Sequence, residues 1–461
     1  MATHLPDGFS RLSFWPRVRE FAVPASMIRT ATARRLAGDW AGACAAARVD
    51  VDLDLRSVRR AHGHGLMSRL RSDLRHLAPD LLRWHMPRIA PDGLLRPGLT
   101  VALARYTAEG RHGPRPVHLV ARTPPAWADA GQRISLAVWD GAGSGLGPSP
   151  HPHPHPHPSP RFRLDLHRHL WDARRAAELR VRCGADLPPD EPVPEPGLPY
   201  PVPPGCRCAV HRWAAEAELL LRAEGTAGRR VAVRLGRGRR LVLELPGEPG
   251  DTAAPEISLG GGSSLPVLPD AATWVLPDLD LLRSGAIEAG RLHPLVAAAL
   301  ESGHVTAAPD RASVRTGDPH LVDCRGVPHR IGLVDGVLSA LDHAPDEIRR
   351  EELLAALTGT PLPCLRAIDE AHRRPDCLAG VRERLDHGDT AGALAVVEGL
   401  LGPQAVLRDG PLRDELEAAA ERRISYGLFR AGLAGPGPGR VLPGPLRPSG
   451  RGTRRRHRAR R

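Results

Sequence analysis

The sequence predicts an α+β protein: N-terminal helices with an antiparallel β-meander, a mixed middle region with β-hairpins, an all-helical C-terminal region and a disordered basic tail. Three observations point there. Leu66, Leu70, Leu74, Leu77 and Leu81 recur at helical spacing, so a helix over residues 65–86 has an apolar face that must pack on a core. Leu99–Arg105, Val117–Arg122, Arg133–Trp139 and Arg161–Leu166 are short alternating or apolar runs bounded by Pro or Gly, the pattern of an antiparallel meander. Nine prolines in the twenty residues Asp186–Gly205 favour polyproline II and exclude a packed element, so the principal boundary falls there.

The elements follow in chain order. Residues 26–48 read as an αα-hairpin, with Ser26 as first N-cap, Gly38 as left-handed stop and Asp39 as second cap. After the leucine-striped helix and the four strands, residues 167–182 return to helix. A helix over 210–223 precedes a hairpin of Val231–Leu235 and Leu241–Leu245, and an apolar helix at 294–300 precedes a second hairpin near 321–334. Residues 345–433 read as helical, with Pro345 and Pro411 at first-turn positions. The resulting division is an N-terminal α+β domain at 1–182 with a His-Pro insertion at 143–160, a Pro-rich linker at 183–205, a mixed region at 206–340, a helical region at 341–434 and the tail at 435–461.

Composition restricts function. The chain has 461 residues and a formal charge of +12, yet it contains no Lys and no Asn, so its 64 basic residues are all Arg. Arg, Ala, Gly and Pro use GC-rich codons, as in a high-GC, actinobacterium-like genome, and part of the charge is codon usage. Residues 440–461 hold nine Arg and no carboxylate, leaving 55 against 52, or +3, for the rest. Seven irregularly spaced cysteines argue against a secreted disulfide framework. With no signal-peptide core and no long apolar window, the expectation is a cytoplasmic protein that does not enter a membrane.

Two resemblances are local. Asp369-Glu370-Ala371-His372 has the letters of the DEAH-box helicases, but a chain without lysine lacks the residue that neutralises the β- and γ-phosphates, so the letters read as a helical turn. Arg35-Leu36-Ala37-Gly38-Asp39-Trp40-Ala41-Gly42-Ala43 resembles Arg384 to Ala393 with one residue inserted. Both are similar to the paired helices of tetratricopeptide-like repeats, yet neither fills a 34-residue unit, and the simpler reading is a helix stop followed by a helix start.

Zinc ligands are the first candidate chemistry. Cys206-x-Cys208-x2-His211, with Cys183 across the linker, offers the sulfur and nitrogen donors zinc prefers, although the usual spacing is CxxC. His320, Cys324 and His329 form a weaker cluster, read as hairpin residues. His151, His153, His155 and His157 alternate with proline; in polyproline II they advance two thirds of a turn and about 6 Å each, so they point apart and read as a stiff loop.

Anion contact is the second. Arg229, Arg230, Arg234, Arg237, Arg239 and Arg240 cluster on a hairpin that could grip phosphates, and Arg454, Arg455, Arg456, Arg458, Arg460 and Arg461 make a polycation for sequence-independent nucleic-acid binding. Only 3% of residues are aromatic, which argues against a base-stacking platform of the single-strand-binding kind. Neither Gly143-Ser144-Gly145 nor Gly262-Ser263-Ser264 makes a nucleophile elbow, Gly236-x-Gly238 lacks the third glycine of a dinucleotide loop, and Asp346, Glu347, Glu351 and Glu352 read as a solvated helix face. With no catalytic set, the leading expectation is a non-catalytic adaptor or scaffold with a protein partner. The alternatives are nucleic-acid association through the arginines and a zinc-dependent protein; no other cofactor is expected.

Overall fold

The structure, a computed structural model, describes residues 11–433 except 110–112, 142–154, 156, 188–197, 199–201, 203–205, 237–238, 247–254, 261–263, 302–319, 325, 335–336, 359–361, 366–379 and 402–409. The fold is α+β, with antiparallel sheets and a helical C-terminal region. The DEAH letters, His151 and His153 of the His-Pro run, and the arginine tail lie outside the described residues.

The first sheet has the order β1-β6-β5-β4, from β1 (Val49–Asp52), β4 (Thr100–Ala108), β5 (Arg115–Arg122) and β6 (Ile134–Trp139), while β2 (Arg88–Ile89) and β3 (Leu94–Leu95) form a two-residue ladder of their own. Three of its strands are those expected from the sequence and pair antiparallel. The fourth is different. Residues 161–166 alternate because Phe162 and Leu164 are buried, but the backbone turns, with Leu166 N–H bonded to Arg163 O and His167 N–H to Leu164 O, and only Arg163 bridges Ala102. Alternation reports one buried face; it does not report a ladder. The vacant edge is taken by β1, parallel to β6, a four-residue run too short to announce itself.

The five expected leucines are all buried, but not on one helix: Leu66, Leu70 and Leu74 lie on Leu55–His76, Leu77 is its extended C-cap, and Leu81 lies on Pro79–His85. Pro79 lacks an N–H and suits a first turn, so it starts a helix rather than continuing one. Residues 167–182 form short 3-10 turns before the helix Leu179–Cys183. The αα-hairpin is present as Ala25–Leu36 and Trp40–Ala46, with Pro24 rather than Ser26 at the first cap.

The main core runs from Phe14 to Cys183 and also takes in Ala209 and apolar residues from Val275 to Leu300. A second core joins the helix Val210–Glu224 to β7 (Arg230–Arg234), β8 (Arg240–Glu244) and β9 (Glu256–Leu259), a third strand beyond the expected hairpin. The third sheet is β10 (His320–Cys324), β11 (Val327–Val334) and β12 (Val337–Ala340), again one strand more than expected. The C-terminal helices Val381–Asp386, Thr390–Leu401 and Pro411–Arg430 return to the first sheet: Arg48 bonds His387 O at 2.7 Å, and Tyr426 and Arg430 bond Asp50 and Asp52 of β1.

Candidate metal centre

The third sheet assembles a donor set that no contiguous motif announces. Gly326, at φ 84°, closes the β10–β11 turn, with its N–H on Asp323 Oδ1 at 2.8 Å. The register pairs Cys324 with Val327 and Val322 with His329. Because strand side chains alternate, Val322, Cys324 and His329 share one face. Ile331 pairs with Ala340 across β11 and β12, extending that face, and the chain then leaves β12 and reaches His343 before the helix Pro345–Thr358. Arg330 forks onto Asp342 at 2.6 and 3.1 Å, fixing the chain beside His343. Residues 363–365, a short helical stretch, bring Cys364 over the same face, where Cys324, Ile331, Ala340, Leu362 and Cys364 form a small buried core.

One ligand atom from each of Cys324, His329, His343 and Cys364 lies within 4.8 Å of the other three. His329 Nδ1 and His343 Nε2 are 2.7 Å apart. Two sulfurs and two imidazole nitrogens are the donors of a structural zinc site, in which neighbouring ligand atoms stand about 3.3–3.8 Å apart. The donors fit that tetrahedron after the imidazoles part by about half an ångström. His343 Nδ1 faces Glu347 Oε2 at 3.4 Å, the carboxylate-to-imidazole arrangement that leaves Nε2 as the ligand nitrogen. Burial, and then a hydrogen bond with Cys324, raises the Cys364 thiol to about 11. No family model, curated protein or solved structure matches the chain. Its chemistry has to be read from its own residues.

The cysteine set favoured by spacing is not gathered in this way. Among the described residues, the group of three or more donors that converges is the one above. Cys183 ends a helix inside the main core, its Sγ 3.6 Å from Arg180 O, and burial raises its thiol to about 11. Cys208 is tied by a backbone bridge to Trp274, while the exposed His211 packs its ring against Gly184. The sequence pattern singles out Cys324 and His329 only as hairpin residues, and it misses His343 and Cys364, which stand 14 and 35 residues beyond His329. His320, by contrast, sits at the far end of β10, opposite Ile331.

The basic hairpin divides into two ends. Arg230 faces Glu244 at 3.5 Å, and Arg229 Nε reaches Leu245 O at 3.5 Å. Arg234 and Arg240 are directly opposite each other on β7 and β8, with Arg239 exposed beside them; Arg237 lies outside the described residues. Burial, and then the charges of Arg161 and Arg240, lower the Arg234 pKa.

Proposed function

We propose that the chain is a non-catalytic protein-interaction adaptor whose third sheet is held by a structural zinc ion on Cys324, His329, His343 and Cys364. The observation that carries this reading is the closed donor set. Four protein ligands fill a tetrahedron and leave no position for water or substrate, so the ion would supply cross-linking rather than chemistry. It would join the hairpin to residues 362–365, a module whose buried core is otherwise small for independent stability.

What this module presents to solvent suits a partner. On the helix Pro345–Thr358, Leu353 and Leu357 lie one turn apart and are 63% and 86% exposed, with Val327 of β11 also exposed. Apolar side chains at i and i+4 form the kind of stripe that docks on another protein. Pull-down with the full chain should recover a partner that the Leu353→Glu, Leu357→Glu double variant loses while retaining its metal. Turnover of a defined small substrate, abolished by one acidic or cysteine substitution, would overturn the adaptor reading.

A second reading, nucleic-acid association, draws on Arg234 and Arg240. Like charges directly opposite on a ladder repel, and a phosphate between them relieves that cost. Replacing both with Gln, or deleting residues 440–461, should weaken DNA binding and flatten its salt dependence. Equal binding by parent and variants would remove this reading.

A further inference from the structure

A cavity of about 40 Å³ lies where five stretches of chain meet, namely the helix Arg11–Phe21, the helix Pro79–His85, residues 169–183, residues 206–209 and residues 271–277. Such junctions are where small-molecule sites form. Its wall includes Trp15, His85 and His169, which are 2%, 7% and 3% exposed. Among the described residues, Trp15 Nε1, His85 Nε2 and His169 Nδ1 have no hydrogen-bond partner. Buried polar atoms are ordinarily satisfied, so three on residues that line one cavity ask for a common complement.

The charged neighbours are already engaged. Arg19 forks onto Asp278 at 2.9 and 2.7 Å, and Arg182 onto Glu216 at 2.5 and 2.6 Å. His293 Nε2 is 3.0 Å from Asp80, His167 Nε2 is 3.1 Å from Glu216, and Arg175 is paired with Glu178. The unpartnered nitrogens that remain to meet a ligand are those of the Trp15 indole and the two imidazoles. The indole N–H only donates, and an imidazole that gains a proton donates from both nitrogens, so the complement is an oxygen acceptor. A metal does not suit this wall: Cys183 and Cys206 line it, but among the described residues no three donors here converge as they do at the third sheet.

We propose that this cavity binds a small carboxylic acid, held as a carboxylate that accepts from Trp15 Nε1–H and from His85 or His169 as an imidazolium. The proton balance is simple. The acid's proton passes to one imidazole, and when the ligand arrives as its anion one proton is taken from water. Burial, and then Arg19 and His293 for His85, or His167 and Arg182 for His169, hold both imidazoles neutral well below the usual range before the ligand arrives. The carboxylate supplies the charge that reverses this.

Acetate is the probe, titrated into the full chain by calorimetry between pH 6 and 8, with acetamide as the uncharged control. One bound proton per acetate makes the affinity fall about tenfold per pH unit. Acetamide should bind weakly and without pH dependence. Trp15→Phe should cost at least tenfold, and a variant with His85→Gln and His169→Gln should lose the pH slope, each keeping the metal content of the parent. Acetate binding that is absent, or that matches acetamide at every pH, overturns the proposal on the unaltered chain. Undiminished binding by folded Trp15→Phe overturns the assigned contact.

Discussion

Glu216 shows how one residue sets a pH dependence. Burial opposes its charge, but hydrogen bonds from His167 and Arg182 prevail and bring its carboxyl down to about 2. Its contribution is therefore present above the unfolded carboxyl's range near 4.3 and is lost as pH falls toward about 2. His85 and His169 act at higher pH. Their folded forms stay neutral while the unfolded imidazoles take up protons near pH 6.5, so the unfolded state binds more protons and stability falls as pH drops below that point. Each contributes a slope of up to about 1.4 kcal/mol per pH unit. Urea unfolding at pH 7.5, 6.5 and 5.5 should show the midpoint fall between the last two. A flat midpoint would remove the neutral-histidine assignment. At the third sheet, His343→Gln should abolish zinc retention, whereas Glu347→Gln, which removes only the facing carboxylate, should weaken affinity by about tenfold. Competition with a chelator measures both.

Among the elements, the repeated Gly-Asp joint is the clearest local rule. Gly38 and Gly388 have φ of 79° and 78°, and Asp39 and Asp389 accept from the N–H groups of Gly42 and Gly392 at 2.8 and 3.3 Å. A Cβ on Gly42 or Gly392 would collide with the capping carboxylate, which explains the second glycine of each copy. The two first glycines differ in surroundings. Gly38 faces open space, so Gly38→Ala should cost only the left-handed conformation, about 1–2 kcal/mol. At Gly388 a Cβ would also meet the backbone of Gly131, so Gly388→Ala should cost distinctly more. Equal losses in denaturant midpoint would contradict that packing. These joints were legible because stop, cap and start are adjacent in sequence. The strand β1 and the loss of pairing at residues 161–166 were not, because a ladder depends on which edge is free in space. His343 and Cys364 escaped for the same reason, since register and a chain reversal, rather than spacing, bring them to Cys324 and His329.

The whole molecule is tied together by contacts between distant segments. Arg19 and Asp278 meet in the main core, and residues from Val275 to Leu300 complete it, which a reading along the chain could not foresee. The C-terminal end is fastened similarly: Arg430 forks onto Asp52, Tyr426 bonds Asp50, and Trp127 meets Phe429 edge-on at 5.5 Å. Asp52→Ala leaves Arg430 without this partner and should expose the helix Pro411–Arg430 to limited proteolysis while residues 14–183 stay resistant. Unchanged cleavage would show that the apolar contact alone holds the helix. No described helix is long and apolar enough to cross a membrane.

The zinc proposed for the third sheet is tested most directly by metal content. The full chain should be prepared without a histidine tag and with His151, His153, His155 and His157 replaced by Ala, so that the His-Pro run cannot bind metal. Elemental analysis should then find one zinc per chain, and Cys364→Ser should remove it. A chain without stoichiometric zinc, or zinc that survives Cys364→Ser and His343→Gln, would contradict the account.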